Sequence, residues 1–255
     1  MRMRLIKWLL VVPPSLAVCR ASGDAEPPKN YAVALYNSFD AVDVYGPLDI
    51  LFYLSFSHTL KLDLIAETMD PVWMRPAAPG LNKAGSNFTA SFNPTHTYAS
   101  PPKDIEVLLV PGGAGMRYGN GSAAAVDFIR ETYPKLKYLV TICTGSGVAA
   151  KAGVLDGKRA TTNKSAWNET VKLGPNVRWV SPARWTVDGN IWTSSGVTSG
   201  FDLIFEFIDR VYGEDVSRKI QGSVEYVRAS DPCDDPFAAW YNIPPSGDCR
   251  QSDPE

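Results

Sequence analysis

The chain has 255 residues, of which 45% are hydrophobic and 20% are charged, as in an ordinary globular protein. The formal net charge of −2 argues against nucleic acid as a main partner. The two histidines exclude a histidine-rich metal site and any mechanism that needs several imidazoles. We predict neither a metal nor a cofactor.

Residues 1–22 have the features of a secretory signal peptide. A basic start precedes a short apolar stretch, and small residues follow at Ala21-Ser22-Gly23. The apolar stretch is broken by Pro13-Pro14 and is too short for a normal membrane span. We therefore predict a secreted protein without a stable membrane span, in which residues 23–30 form a linker. The alternative is a disordered leader on a cytoplasmic protein.

Strands and helices alternate along the rest of the chain. Apolar runs predict strands at 31–36, 60–66, 105–110, 137–142 and 159–162, and a hairpin at 185–192. Helical spacing predicts helices at 44–54, 123–133, 145–152, 201–211 and 215–224. Residues 71–102 predict irregular structure with a hairpin, and the tail at 229–255 lacks periodicity. The alternation predicts one flavodoxin-like domain at 31–228, an α/β sandwich with a mostly parallel sheet.

The segment at 138–147 predicts a nucleophile elbow. A buried strand ends at Cys143 and turns at once into small residues and a helix. The helix N-terminus favours negative charge, so we predict a thiol pKa below the ordinary value of about 8.5. The alternative is a small apolar residue that closes a core strand.

Two further loops are predicted at the same carboxyl edge of the sheet. Asp40 and Asp43 follow the first strand, and Gly112 and Gly113 follow Val110. Asp43 is either a functional acid or the N-cap of a helix that starts at Val44, whereas Asp40 is interpreted as a solvated loop acid. The glycines either offer backbone N–H groups to a ligand or only form a tight turn.

These motifs together resemble the ThiJ/PfpI superfamily, within the class I glutamine-amidotransferase-like fold, and in particular its isocyanide (isonitrile) hydratase branch. The resemblance spans Tyr31 to about Phe237. It rests on the motifs Asp43-Val-Tyr-Gly-Pro47, Val110-Pro-Gly-Gly113 and Thr141-Ile-Cys-Thr-Gly-Ser146. Thr144 stands where the peptidases of the superfamily have a histidine. Asn163 stands where several relatives have one, and it cannot serve as a general base.

The resemblance implies an enzyme that hydrates a small-molecule isonitrile to an N-formamide through a cysteine thioimidate. Cys143 would be the nucleophile and Asp43 the proton shuttle. Gly112, Gly113 and Thr144 would bind the substrate through backbone N–H groups, and Thr144 through its hydroxyl as well. The resemblance also implies a homodimer. Two alternatives stay open: a glyoxalase-like activity on small dicarbonyls, and a non-catalytic secreted protein that binds a ligand or senses oxidation at Cys143.

The cysteines and sequons agree with secretion. Removal of the leader would leave Cys143, Cys233 and Cys249, of which the last two can pair within the tail. Cys143 would then be the one free thiol. Sequons for N-glycosylation, which arise often by chance, occur at Asn87, Asn120, Asn163 and Asn168.

Overall fold

The structure, a computed structural model, describes residues 26–118 and 121–250. The predicted signal peptide and the sequon asparagine Asn120 lie outside these residues. The strands are β1 Asn30–Ala34, β2 Lys61–Ala66, β3 Val72–Met74, β4 Ala90–Phe92, β5 His96–Thr97, β6 Val107–Val110, β7 Tyr138–Thr141, β8 Arg159–Ala160, β9 Arg178–Trp179, β10 Trp185–Asp188 and β11 Ile191–Ser194. The α-helices are α1 Ala41–Leu54, α2 Ala123–Thr132, α3 Gly145–Lys151, α4 Trp167–Thr170, α5 Ser199–Tyr212, α6 Glu214–Val224 and α7 Pro236–Trp240.

Seven strands form the central sheet in the order β10-β11-β7-β6-β1-β2-β5. Every neighbouring pair is parallel except β10 and β11, which form the predicted antiparallel hairpin. Its turn contains Gly189, whose φ of +61° lies in the left-handed region that glycine tolerates. Strands β3 and β4 form a separate antiparallel pair inside the segment predicted to be irregular with a hairpin.

The sheet is covered by helices on both faces, because its inner strands are apolar at most positions. In β1, Ala32 and Ala34 pack in a cluster with α2 and α3. The alternate residues Tyr31 and Val33 pack in a second cluster with α1 and α5. Side chains of a strand point to opposite faces in turn, so a continuous apolar run must be buried on both sides. This architecture confirms the predicted α/β sandwich with a mostly parallel sheet.

Helix α1 begins three residues earlier than predicted. Asp40 is its N-cap, and the Asp40 side chain accepts a hydrogen bond from the N–H of Val42 at 3.2 Å. The alternative interpretation of Asp43 as the N-cap is therefore wrong, and so is that of Asp40 as merely a solvated acid. Asp43 lies in the first turn and is buried, which leaves its carboxyl group available for another purpose.

The C-terminal segment, defined here as residues 229–250, is largely irregular but packs onto the domain. Cys233 and Cys249 form a disulfide with a Cα–Cα distance of 5.4 Å, which leaves Cys143 free. Backbone hydrogen bonds between Ser181 and Ser246, at 2.7 and 2.8 Å, join the segment to the residues that follow β9. Across 26–118 and 121–250, no helix has the length and apolar character that a membrane span requires.

Candidate active site

Three loops meet at the carboxyl edge of the sheet because β7, β6 and β1 are neighbours in it. Cys143 follows β7 with a φ of +57°, a left-handed conformation that strains a residue with a side chain. The hydroxyl groups of Ser146 and Thr162 both donate to the Cys143 carbonyl oxygen at 3.1 Å. The strand, the strained cysteine and the helix that follows it have the geometry of a nucleophile elbow.

Asp43 places a carboxyl group against the thiol. Its Oδ2 accepts a hydrogen bond from the N–H of Gly112 at 2.8 Å, and hydrogen bonding to the Cys143 thiol lowers the pKa of the same carboxyl group. Its Oδ1 is buried and receives no N–H or O–H donor from the described residues. The carboxyl group is therefore held at one oxygen and faces the thiol without a neighbouring cation.

Both predicted backbone donors of the Pro-Gly-Gly turn already have protein acceptors. The N–H of Gly112 donates to Asp43, and that of Gly113 donates to Thr144 Oγ1 at 3.0 Å. A Cβ at Gly112 would lie 2.6 Å from the Thr144 nitrogen, so only glycine fits there. Because both N–H groups are already used within the protein, the turn does not have its predicted role of binding substrate in this arrangement. It positions Asp43 and Thr144 instead.

Burial dominates the titration of the thiol and the acid. Burial and, to a lesser extent, the nearby Asp40 raise the pKa of Asp43 to about 8, although hydrogen bonds from the Gly112 N–H and the Cys143 thiol lower it. Burial also raises the pKa of Cys143, and the Asp43 carboxylate adds to that rise. The Thr144 N–H donates to the sulfur but does not offset these causes. The predicted low thiol pKa is therefore wrong for the free site.

Asn163 is a second donor to the thiol. Hydrogen bonding from its side chain lowers the pKa of Cys143, and only the amide nitrogen, Nδ2, can donate. Its Oδ1 accepts from the N–H of Ser165 at 2.8 Å, which fixes the orientation of the amide. Nδ2 is also the atom that N-glycosylation would modify, and here it faces the thiol. The sequon asparagines Asn87 and Asn168 are exposed.

A buried ion pair near the thiol was not predicted from the sequence. Lys164 Nζ lies 2.8 Å from Asp235 Oδ2, and both side chains are almost wholly buried. Nζ also donates to Ser195 Oγ and to the carbonyl oxygen of Ala183, each at 3.0 Å, while burial lowers the pKa of Lys164. One signal was available: Asp235 followed by Pro236 is a typical helix N-terminus, and Asp235 is indeed the N-cap of α7.

Neither histidine serves the thiol. The His58 ring packs edge-on against Tyr212, with 5.0 Å between ring centroids. His96 Nδ1 lies 3.3 Å from Asp63, on the edge strand β5. These are the two histidines of the chain, so Asp43 is the candidate for proton transfer at Cys143.

The chain is similar to several characterised proteins. A model of the DJ-1/PfpI family matches residues 29–210. An isonitrile hydratase of Pseudomonas putida is 30% identical over 197 residues, which are 76% of this chain and 77% of that protein. A deglycase of Pyrococcus horikoshii is 32% identical over 96 residues, which are 38% of this chain and 55% of the deglycase.

Solved structures have the same fold. A ThiJ/PfpI family protein from Pseudomonas syringae superposes with a TM-score of 0.64 at 24% sequence identity, over 80% of this chain and 77% of that one. DJ-1beta of Drosophila melanogaster superposes with a TM-score of 0.61 at 19% identity, over 78% of this chain and 99% of that one. At these identities the likeness shows the fold alone.

Proposed function

Because the chain belongs to the DJ-1/PfpI family, we propose that it is a cysteine-dependent hydratase that converts isonitriles to N-formamides. The observation that carries the proposal is the carboxyl group of Asp43, hydrogen-bonded to the buried thiol of Cys143 with a pKa raised to about 8. An acid that keeps its proton near neutral pH can give it to a substrate and take it back. The similarity to an isonitrile hydratase supports this choice of substrate.

The first step forms a covalent thioimidate. The terminal carbon of R–N≡C accepts a proton from Asp43, and the sulfur of Cys143 bonds to that carbon. The Asp43 carboxylate that results takes the proton that the thiol loses. The product is R–N=CH–S–Cys143, so one S–H bond is replaced by one C–S bond and one C–H bond. The Thr144 N–H and the Asn163 amide, which both donate to the sulfur, stabilise negative charge on it while it attacks.

The second step adds water and releases the enzyme. Water bonds to the imidate carbon, its proton passes through Asp43 to the substrate nitrogen, and R–NH–CH(OH)–S–Cys143 forms. Asp43 then gives its proton to the departing sulfur as the C–S bond breaks and takes the hydroxyl proton, which gives R–NH–CHO and restores both the Cys143 thiol and the protonated Asp43. The sum is the addition of one water molecule to the isonitrile. A single acid–base group is sufficient, because every proton transfer in the two steps occurs at the reacting carbon or at an atom bonded to it.

The test is steady-state turnover of an alkyl isocyanide by the mature chain, followed by the formyl proton of the product in NMR spectra. We expect turnover that Cys143→Ala abolishes. Asp49→Asn is the matched control, because Asp49 is an exposed acid on the same helix. Wild-type protein that produces no formamide, or Cys143→Ala protein that still does, would overturn the proposal.

A glyoxalase-like or deglycase-like activity is the second candidate, supported by the similarity to a deglycase. Methylglyoxal in the same assay separates the two activities, since its consumption gives no formyl proton. Turnover of methylglyoxal without turnover of isocyanide would favour this candidate. Loss of Cys143 thiol without turnover of either compound would favour the non-catalytic redox role.

We also propose that the protein is a secreted homodimer. The solvent side of α1 exposes Val42, Tyr45 and Phe52, which recur at helical spacing on one face, and Phe56 just beyond the helix is exposed as well. A second copy of this face would cover them. Light scattering should give twice the chain mass, and Phe52→Glu should shift it toward the monomer. The Cys233–Cys249 disulfide supports secretion, which N-terminal sequencing of the exported protein would test.

A further inference from the structure

A cavity of about 230 Å³ is bounded in part by Asn163, Lys164 and Ser165 and in part by the C-terminal segment. Residues that line it include Asn163, Lys164, Arg184, Val197, Phe237 and Tyr241. Asn163 joins the cavity to the elbow, because Thr162, directly before it, donates through its hydroxyl to the Cys143 carbonyl oxygen at 3.1 Å, and hydrogen bonding from the Asn163 amide lowers the pKa of the thiol. A molecule that approaches the thiol through this cavity therefore places its remaining atoms among these residues.

The cations of this cavity are already paired. Lys164 is held by Asp235 at 2.8 Å, and Arg184 Nη2 is held by Asp202 at 2.6 Å. Breaking either pair to bind a charged ligand would leave a buried carboxylate uncompensated. The cavity thus favours a neutral substrate.

Aromatic rings form the wall that the C-terminal segment contributes. Phe237 lies on α7, and Tyr241 directly follows this helix. Phe237 and Tyr241 are each 45% exposed. Both residues lie beyond 29–210, the part that the family model matches. The wall is held in place because Asp235 accepts the Phe237 N–H at 3.2 Å and pairs with Lys164. The Cys233–Cys249 disulfide closes the segment around it.

We infer that Phe237 and Tyr241 make the enzyme selective for isonitriles that carry an apolar substituent of about the size of a benzene ring. An apolar cavity of about 150 Å³ accommodates benzene, so the volume here is sufficient for such a group and the reacting N≡C unit. Covering two half-exposed rings with an apolar substituent removes their surface from water. This inference rests on the proposed function.

Kinetics with two substrates measure the selectivity. We expect wild-type protein to have a higher kcat/KM for benzyl isocyanide than for methyl isocyanide. Phe237→Ala and Tyr241→Ala should each lower the benzyl value roughly 2- to 12-fold and change the methyl value less than about twofold. Trp240→Ala is the control, because Trp240 lies on the same helix, is 75% exposed and does not line the cavity. Phe237→Leu keeps an apolar side chain if alanine unfolds the segment.

Alkylation of Cys143 tests the role of the aromatic wall in an assay that does not require hydratase activity. The sulfur displaces iodide from iodoacetamide or from N-benzyl iodoacetamide, and a free thiol peptide gives the intrinsic ratio of the two rates. Wild-type protein should favour the benzyl reagent beyond that ratio, and the two alanine variants should lose the preference. If no isonitrile is hydrated but wild-type protein still prefers the benzyl reagent, the proposed function is wrong, whereas the role of Phe237 and Tyr241 in binding an apolar group is supported. Unchanged preferences in both variants and both assays would overturn the inference.

Discussion

Asp43 and Asp235 are both buried near the thiol, but their surroundings differ in one respect. Asp235 faces the ammonium group of Lys164 at 2.8 Å and also accepts from Ser195. Asp43 faces a neutral thiol and one backbone N–H, and no cation among the described residues contacts its carboxyl group. The same side chain therefore has two functions here. With a cation it joins the C-terminal segment to the domain, and without one it keeps its proton for chemistry.

The comparison shows that burial alone does not identify a catalytic acid. Burial disfavours a charged carboxyl group and a paired cation favours it, so the partner decides what a buried carboxyl group can do. The predictions that follow either separate the two aspartates further or show that they are equivalent.

The largest expected effect is on turnover. Cys143→Ser should abolish it, because a serine hydroxyl with no imidazole nearby stays protonated. Asp43→Asn should lower kcat by about 10²–10⁴-fold, the usual contribution of a general acid–base group. The same substitution removes a carboxylate that raises the pKa of Cys143, so alkylation of the thiol at pH 8–9 should become faster as catalysis is lost. Wild-type kcat in Asp43→Asn would refute the catalytic assignment.

The next effect is on stability and belongs to Asp235. Asp235→Asn leaves the Lys164 ammonium buried without its counter-ion, which typically costs about 3–5 kcal/mol of unfolding free energy. The exposed pair of Asp215 with Arg218 is the matched control, and Asp215→Asn should cost about 0–1 kcal/mol. Urea unfolding at pH 7 measures both. Equal midpoints for the two variants would mean that the buried pair does not hold the segment.

Removal of the disulfide should have a somewhat smaller effect. Cys233 and Cys249 are 16 residues apart, and a loop of that length gives about 3 kcal/mol in the chain-entropy account. The Cys233→Ser/Cys249→Ser protein should melt at a lower temperature, and a reductant should bring wild-type protein to the same value. Cys143→Ser protein should respond to the reductant as wild type does. A reductant that leaves the melting temperature of wild-type protein unchanged would contradict the expected stabilisation by the disulfide.

The most gradual effect is the pH dependence of stability that Asp43 confers. Its pKa is raised from 3.8 to about 8 on folding, so the folded chain binds a proton that the unfolded chain has released. Stability from this group is complete below pH 4 and is lost as pH rises toward 8, by at most about 1.4 kcal/mol per pH unit. Relative to wild type, Asp43→Asn should gain stability over that range. Parallel stability–pH curves for the two proteins would indicate an unshifted carboxyl group.

Much of the fold was predictable from the sequence, because short apolar runs such as Val107–Val110 that are bounded by turn residues are typical of buried strands. The approach of the three loops was also predictable, since parallel strands place their carboxyl ends at one edge. The pKa of Cys143 was not, because it depends on desolvation that the helix pattern does not reveal. The start of α1 was missed because Asp40 and Asp43 are both plausible caps. The Lys164–Asp235 pair was missed because its members are 71 positions apart in the chain, and no local pattern links them.

The orientation of the Asn163 amide has a consequence for biosynthesis. A chain exported through a compartment that glycosylates asparagines would present Asn163-Lys-Ser165 before it folds. An oligosaccharide on Nδ2 could not fit against the sulfur, where Gly196 also leaves little room: a Cβ there would lie 3.2 Å from that nitrogen. Folding and sugar attachment therefore compete for one atom. The fraction of active molecules would be set by their relative rates, and a host without this modification should yield uniformly active protein.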